Sequence, residues 1–186
     1  MPILSYWNTK DQDILSEMEK KKSPIVREIL DLLRFSGKLP QFKIDPKLPY
    51  GTSGEYNPLN DTVGFNRWSG NRASTMAHEL THALSDRMAR DAFRWKNSKD
   101  ELPVEQSRFV DAMQKLRTPS FKGTGDPYRD NKEEQWGFGV GAFPGTPLES
   151  WEKEFAYPGV PHQDPTNATE QAVLRDLYRR ALQSKR

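Results

Sequence analysis

The chain has no cysteine among its 186 residues. Disulfides, thiolate metal sites and cysteine nucleophiles are therefore excluded, while the redox compartment stays open. No apolar run approaches the roughly 18–20 residues that a membrane span needs, and the mean hydropathy is −0.88, so no membrane partner is expected. A charge excess is missing as well. With 28 Lys and Arg against 26 Asp and Glu, the net charge of +2 is too small a field to imply nucleic acid. The basic clusters Lys20-Lys21-Lys22 and Arg179-Arg180 read as solvated helix faces. Residues 1–8 offer neither the basic nor the apolar part of a secretory signal peptide. The expectation is a protein that is cytosolic where it is made, or one exported by a route that no such peptide marks. Repeats and low-complexity tracts are also absent.

This polarity does not amount to disorder. Hydrophobic residues make up 34% and aromatics 11%, with five Trp, which is enough to build a core. The length suits one domain, assigned to residues 23–186, with the polar residues 1–22 as a loosely held arm. Ser23 and Pro24 suit a helix N-terminus, Ile25, Ile29, Leu32 and Leu33 follow at helical spacing, and Gly37 stops the run. Phe42-Lys43-Ile44 reads as a short strand. Residues 55–65 read as a hairpin around Asn60-Asp61. A long helix is expected from Asn71 to Trp95, with Met76, Leu80, Ala83, Leu84 and Met88 forming its buried stripe. Another is expected from Val104 to Leu116, with Phe109, Met113 and Leu116 inward. Residues 118–130 and 144–165 are turn-rich. A last helix is expected from Thr169 to Gln183, capped by Asn167 or Thr169 and apolar at Val173, Leu174, Leu177 and Leu182.

Histidine is scarce, at three residues, yet two of them flank a glutamate in His78-Glu79-Leu80-Thr81-His82. This is the H-E-x-x-H pattern of zinc peptidases. Residues i and i+4 stand one above the other on a helix, so both imidazoles can reach one Zn²⁺. Glu79 is then placed to take a proton from a water that attacks a carbonyl. A catalytic zinc needs a third protein ligand. The metzincin spacing is excluded, because Ser85 and Met88 stand where Gly and His would be required. His162 lies in a Pro-rich loop and reads as a surface histidine. Asp126, in Gly123-Thr-Gly-Asp126-Pro-Tyr128, is placed somewhat as the aspartate ligand of aspzincins is, although such clusters are usually turns. Glu133 and Glu134 are the better candidates.

H-E-x-x-H followed by Glu133-Glu134-Gln-Trp-Gly-Phe138-Gly139 resembles the light chains of the clostridial neurotoxins. It also resembles the NleD-like family of type III secreted effector peptidases. The resemblance spans residues about 50–182 and is specific only at the two motifs. It implies His78, His82 and Glu134 as zinc ligands, Glu79 as the base and Glu133 as a residue orienting a ligand. Arg175-Asp-Leu-Tyr178 resembles the R-x-x-Y pair of the neurotoxins, which implies Arg175 and Tyr178 as donors to the oxyanion. Arg179 and Arg180 are the alternative arginines, and an ordinary charged helix face is the competing reading of the pair.

The expectation is therefore a single-domain α+β protein with a zincin-like fold, a small sheet and a Glu-ligand second helix. Its expected activity is that of a zinc metalloendopeptidase acting as a monomer. The resemblance implies a bacterial effector translocated into a host cell to cut a signalling protein, in NleD-like members a mitogen-activated protein kinase. The alternatives are a toxin or phage-associated zincin peptidase, or a zincin fold kept as a binding module. Intact Glu79 argues against the last.

Overall fold

The computed structural model describes residues 24–66, 72–116, 134, 137, 140 and 165–184. The arm assigned to residues 1–22 lies outside them, as do Ser23, Asp126, Glu133 and His162. The described residues form a small mixed α+β fold. Its elements are α1 (Pro24–Ser36), β1 (Gln41–Ile44), β2 (Gly54–Asn57), β3 (Thr62–Phe65), α2 (Arg72–Lys96), α3 (Val104–Leu116) and α4 (Pro165–Gln183).

The sheet has the order β1-β3-β2, with β1 parallel and β2 antiparallel to β3. Thr62-Val63-Gly64-Phe65 is buried at every position, as a strand paired on both sides and covered by helix demands. Phe42 stacks on Phe65 with ring centroids 6.1 Å apart. The hairpin turns at Asp61, whose φ of 53° is left-handed, a conformation Asp tolerates better than most residues. Asp61 is also held in place: Tyr56 Oη donates to Oδ1 at 3.1 Å, and Arg87 Nη2 donates to Oδ2 at 2.6 Å.

α2 is the central element of this fold. Met76, Leu80, Ala83, Leu84 and Met88 are all buried and join Ile29, Leu30 and Leu33 of α1 and Val63 and Phe65 of β3 in one core. A second stripe of α2, set off from the first, runs along β2. Thr75 and Glu79 meet the strand itself, while Asp86 and Arg90 reach the Tyr56 hydroxyl. These four positions recur with the helical period, so α2 lies lengthwise against the edge strand. The hairpin is thereby fastened to the helix by polar contacts on one side and by core packing on the other.

The helices expected from residues 24, 71, 104 and 169, the strand and the hairpin are present among the described residues, with one correction. α4 begins at Pro165, earlier than Thr169, because proline suits the first turn of a helix; Asn167 and Thr169 therefore lie inside the helix, past its N-cap position. Of the apolar residues of α4, Val173 is 45% exposed, while its buried face includes Gln171, Leu174, Arg175 and Tyr178. No helix among the described residues is long and apolar enough to cross a membrane.

Candidate metal centre

His78 and His82 project from α2 beside the core stripe. Their side chains are only 12% and 17% exposed. One helical turn separates them, so the rings meet edge to face with centroids 4.7 Å apart and Nε2 faces Nε2 at 2.9 Å. Thr81, buried between them in sequence, satisfies its hydroxyl by donating to the His78 carbonyl at 2.6 Å. Glu134 arrives from far along the chain. Its Oε2 lies 3.2 Å from His78 Nε2 and its Oε1 lies 3.5 Å from His82 Nε2.

The ligand atoms of these three residues all lie within 4.8 Å of one another, so the group could hold one metal ion. Two further observations fit such an ion. Glu134 Oε2 is buried and, among the described residues, meets the His78 ring nitrogen at 3.2 Å without good hydrogen-bond geometry, an incomplete set of partners for a carboxylate oxygen that a metal ion would complete. The separations of 2.9 Å between the two Nε2 atoms and 3.2 Å from His78 Nε2 to Glu134 Oε2 also lie near the edge of about 3.3 Å expected of a tetrahedron with arms of about 2.0–2.1 Å, the length of zinc bonds to His and carboxylate.

The electrostatics of the cluster follow from burial and mutual contact. For Glu134, burial raises the carboxyl pKa, but the two imidazoles beside it lower it more, and the net shift is well below the usual carboxylate range. For His82, burial disfavours the charged form, yet Glu134 and Glu79 outweigh it and raise the pKa. Two imidazoles and a carboxylate held this close are tolerable without metal only if they share protons in this way.

Glu79 is not part of the ligand triangle. It is 6% exposed, and its Oε2 accepts a hydrogen bond from the Tyr56 backbone N–H of β2 at 2.8 Å. Burial pushes its carboxyl above the ordinary value, against the downward pull of His78, His82 and the Tyr56 amide. A buried carboxylate with a raised proton affinity, next to a group that could hold a metal and fixed by a backbone donor, is chemically able to act as a general base. Gly54 lets β2 come this close. A Cβ there would lie 2.5 Å from Thr75 Cγ2 and 3.4 Å from Glu79 Cγ.

The two residues expected at the oxyanion are elsewhere. Tyr178 is fully buried, and its hydroxyl donates to Asp91 Oδ2 at 2.7 Å. Asp91 is nine residues past His82 on α2, about 13 Å along the axis at about 1.5 Å per residue. The Tyr178 ring packs against Trp95 and Phe109, at centroid distances of 6.3 and 5.0 Å. Arg175 is also buried, with Nε donating to Glu28 Oε2 of α1 at 2.9 Å. Both side chains hold α4 onto its neighbours, so the R-x-x-Y match is a packing feature of this helix. The alternative arginines are engaged too: Arg179 pairs with Glu28 and Asp176, and Arg180 with Asp176 at 2.8 Å.

Two contributors to this arrangement, Tyr56 and Gly54, carry no motif signal. Tyr56 acts through its backbone N–H, which any residue but proline would supply. Gly54 acts through the side chain it lacks. Comparison of this chain with protein-family models, with curated proteins and with solved structures finds no match.

Proposed function

We propose that this protein is a zinc-dependent endopeptidase with a zincin-like arrangement, in which His78, His82 and Glu134 hold the metal and Glu79 is the general base. The observation that carries the reading is the convergence of two histidines and a distant glutamate on one point, with a fourth, buried carboxylate beside it that is bound to an edge strand instead. A purely structural cluster has no need of Glu79 in that position.

Zinc held by this donor set would polarise a substrate carbonyl and lower the pKa of a water. The remaining work falls to the chain. Glu79 takes the proton of the attacking water and passes it to the departing amine, and its raised proton affinity suits both transfers near neutral pH. The Tyr56 amide holds the carboxylate oriented between transfers. The resemblance of the two motifs to effector peptidases supports a host signalling protein as the target, reached by translocation without a cleavable signal.

Metal analysis and a protease assay on the parent, Glu79→Ala and Glu134→Ala proteins test this. The parent should hold about one zinc per chain, since three protein ligands bind it tightly. Glu79→Ala should keep the zinc and lose nearly all peptidase activity, and Glu134→Ala should lose both. Less than about a tenth of a zinc per chain in parent protein prepared without chelators would refute the proposal.

A further inference from the structure

We infer that Gly137 is a positioning residue of the metal centre, whose missing side chain lets the segment bearing Glu134 close onto His78. The inference rests on the metallopeptidase reading above. Gly137 is buried and has helical backbone, as do Glu134 and Val140 at three-residue intervals, so no unusual φ demands glycine here. Helix propensity favours alanine over glycine at such a place. Space is what excludes it. A Cβ on residue 137 would lie 2.7 Å from His78 Nδ1, 2.8 Å from Cε1 and 3.1 Å from Cγ.

The His78 ring has no simple way to yield. His82 stands edge-on at 4.7 Å, and the ring is planar, so displacing the Nδ1 edge moves Nε2 as well. Ordinary contact begins at 3.4 Å. The shortfall is about 0.7 Å, more than the roughly 0.2 Å by which metal–ligand distances vary. Residue 137 therefore sets where Nε2 points, without itself touching the metal. Glu134, three residues earlier in sequence and also helical, lies 3.2 Å from His78 Nε2.

A double-mutant cycle between Gly137→Ala and His78→Ala tests this, read by zinc affinity in chelator competition, the visible spectrum of cobalt-substituted protein and the melting temperature of metal-free protein. Gly137→Ala should weaken zinc binding roughly ten- to a hundredfold, as loss of a ligand's support does, and should alter the cobalt spectrum. In the His78→Ala background the same change should leave residual metal binding untouched and should not lower the melting temperature, because the ring it would strike is gone. A parent that takes up no zinc overturns the metallopeptidase reading. A zinc-binding parent beside an equally tight Gly137→Ala protein overturns this inference alone. Should Gly137→Ala fail to fold, a cooperatively melting double variant supports contact with the ring, and an equally unfolded double variant overturns it.

Discussion

Replacing Tyr178 by Phe removes one oxygen atom from a fully buried side chain and keeps the ring against Trp95 and Phe109. What is lost is the hydrogen bond of 2.7 Å to Asp91. Asp91 is itself only 7% exposed, and its other oxygen is engaged by Arg94, so the carboxylate keeps one partner and loses one. Burial, and then the nearby Asp91, hold the Tyr178 phenol far above its ordinary pKa, so it acts as a donor throughout the accessible range. A hydrogen bond to a charged group contributes about 1.5–3 kcal/mol. In a chain of this size each kcal/mol moves the melting temperature by about 2–4 °C, so a loss of about 2 kcal/mol should lower it by about 4–8 °C. Zinc content and kcat per folded molecule should be parental, because Asp91 is about 13 Å along α2 from His82. Thermal melts and single-substrate kinetics on zinc-loaded protein decide the matter. An unchanged melting temperature with kcat reduced about a hundredfold, the loss expected from removing an oxyanion donor, would refute the structural assignment. Asp91→Asn should give a loss of similar size, and the double variant should cost less than the two singles together.

Other outcomes follow from the same geometry. Glu79→Gln preserves the volume but cannot accept a proton, so it should bind zinc like the parent while kcat falls by about 10²–10⁴-fold; parental turnover would remove Glu79 from the chemistry. Leu80→Ala, at a position with no exposure, should cost about 2.7–5 kcal/mol in urea unfolding, and a loss under about 1 kcal/mol would contradict the core packing of α2. In metal-free protein the raised pKa of His82 contributes stability that is complete below about 6.5 and lost as the pH rises through the folded value. The lowered pKa of Glu134 contributes stability present above about 4.3 and lost as the pH falls through its folded value. The pair should therefore favour the window between, with a lower melting temperature at pH 8 than at pH 6. Glu134→Gln should flatten that difference, and an unchanged pH 6 to pH 8 slope in the variant would count against the pairing.

Local pattern was enough to locate most of the scaffold. The stripe of Met76, Leu80, Ala83, Leu84 and Met88 could only be a helix with a buried face, since its spacing matches 3.6 residues per turn and no other period. Pro24, Gly37 and the Asn60-Asp61 turn marked boundaries because their backbone preferences are intrinsic to the residue. α4 was less legible at both levels. Its apolar residues do not form a clean stripe, and its buried face includes Gln171, Arg175 and Tyr178, whose polar atoms enter the core because partners on other elements meet them there.

The site divides along the same line. The chain itself determined that His78 and His82 share a helix face with Glu79 between them, because i, i+4 geometry is a property of the helix alone. It also marked Glu134 as a candidate, without deciding among carboxylates. Only the tertiary structure decided that Glu134 reaches the two Nε2 atoms, that Glu79 is held by the Tyr56 amide, and that Gly54 and Gly137 leave the room for both approaches. It likewise decided that Arg175 and Tyr178 hold α4 in place, a role that an R-x-x-Y pair cannot announce. The reason is physical: a helix period is written in neighbouring residues, whereas the partner of a buried polar atom depends on which distant element packs against it.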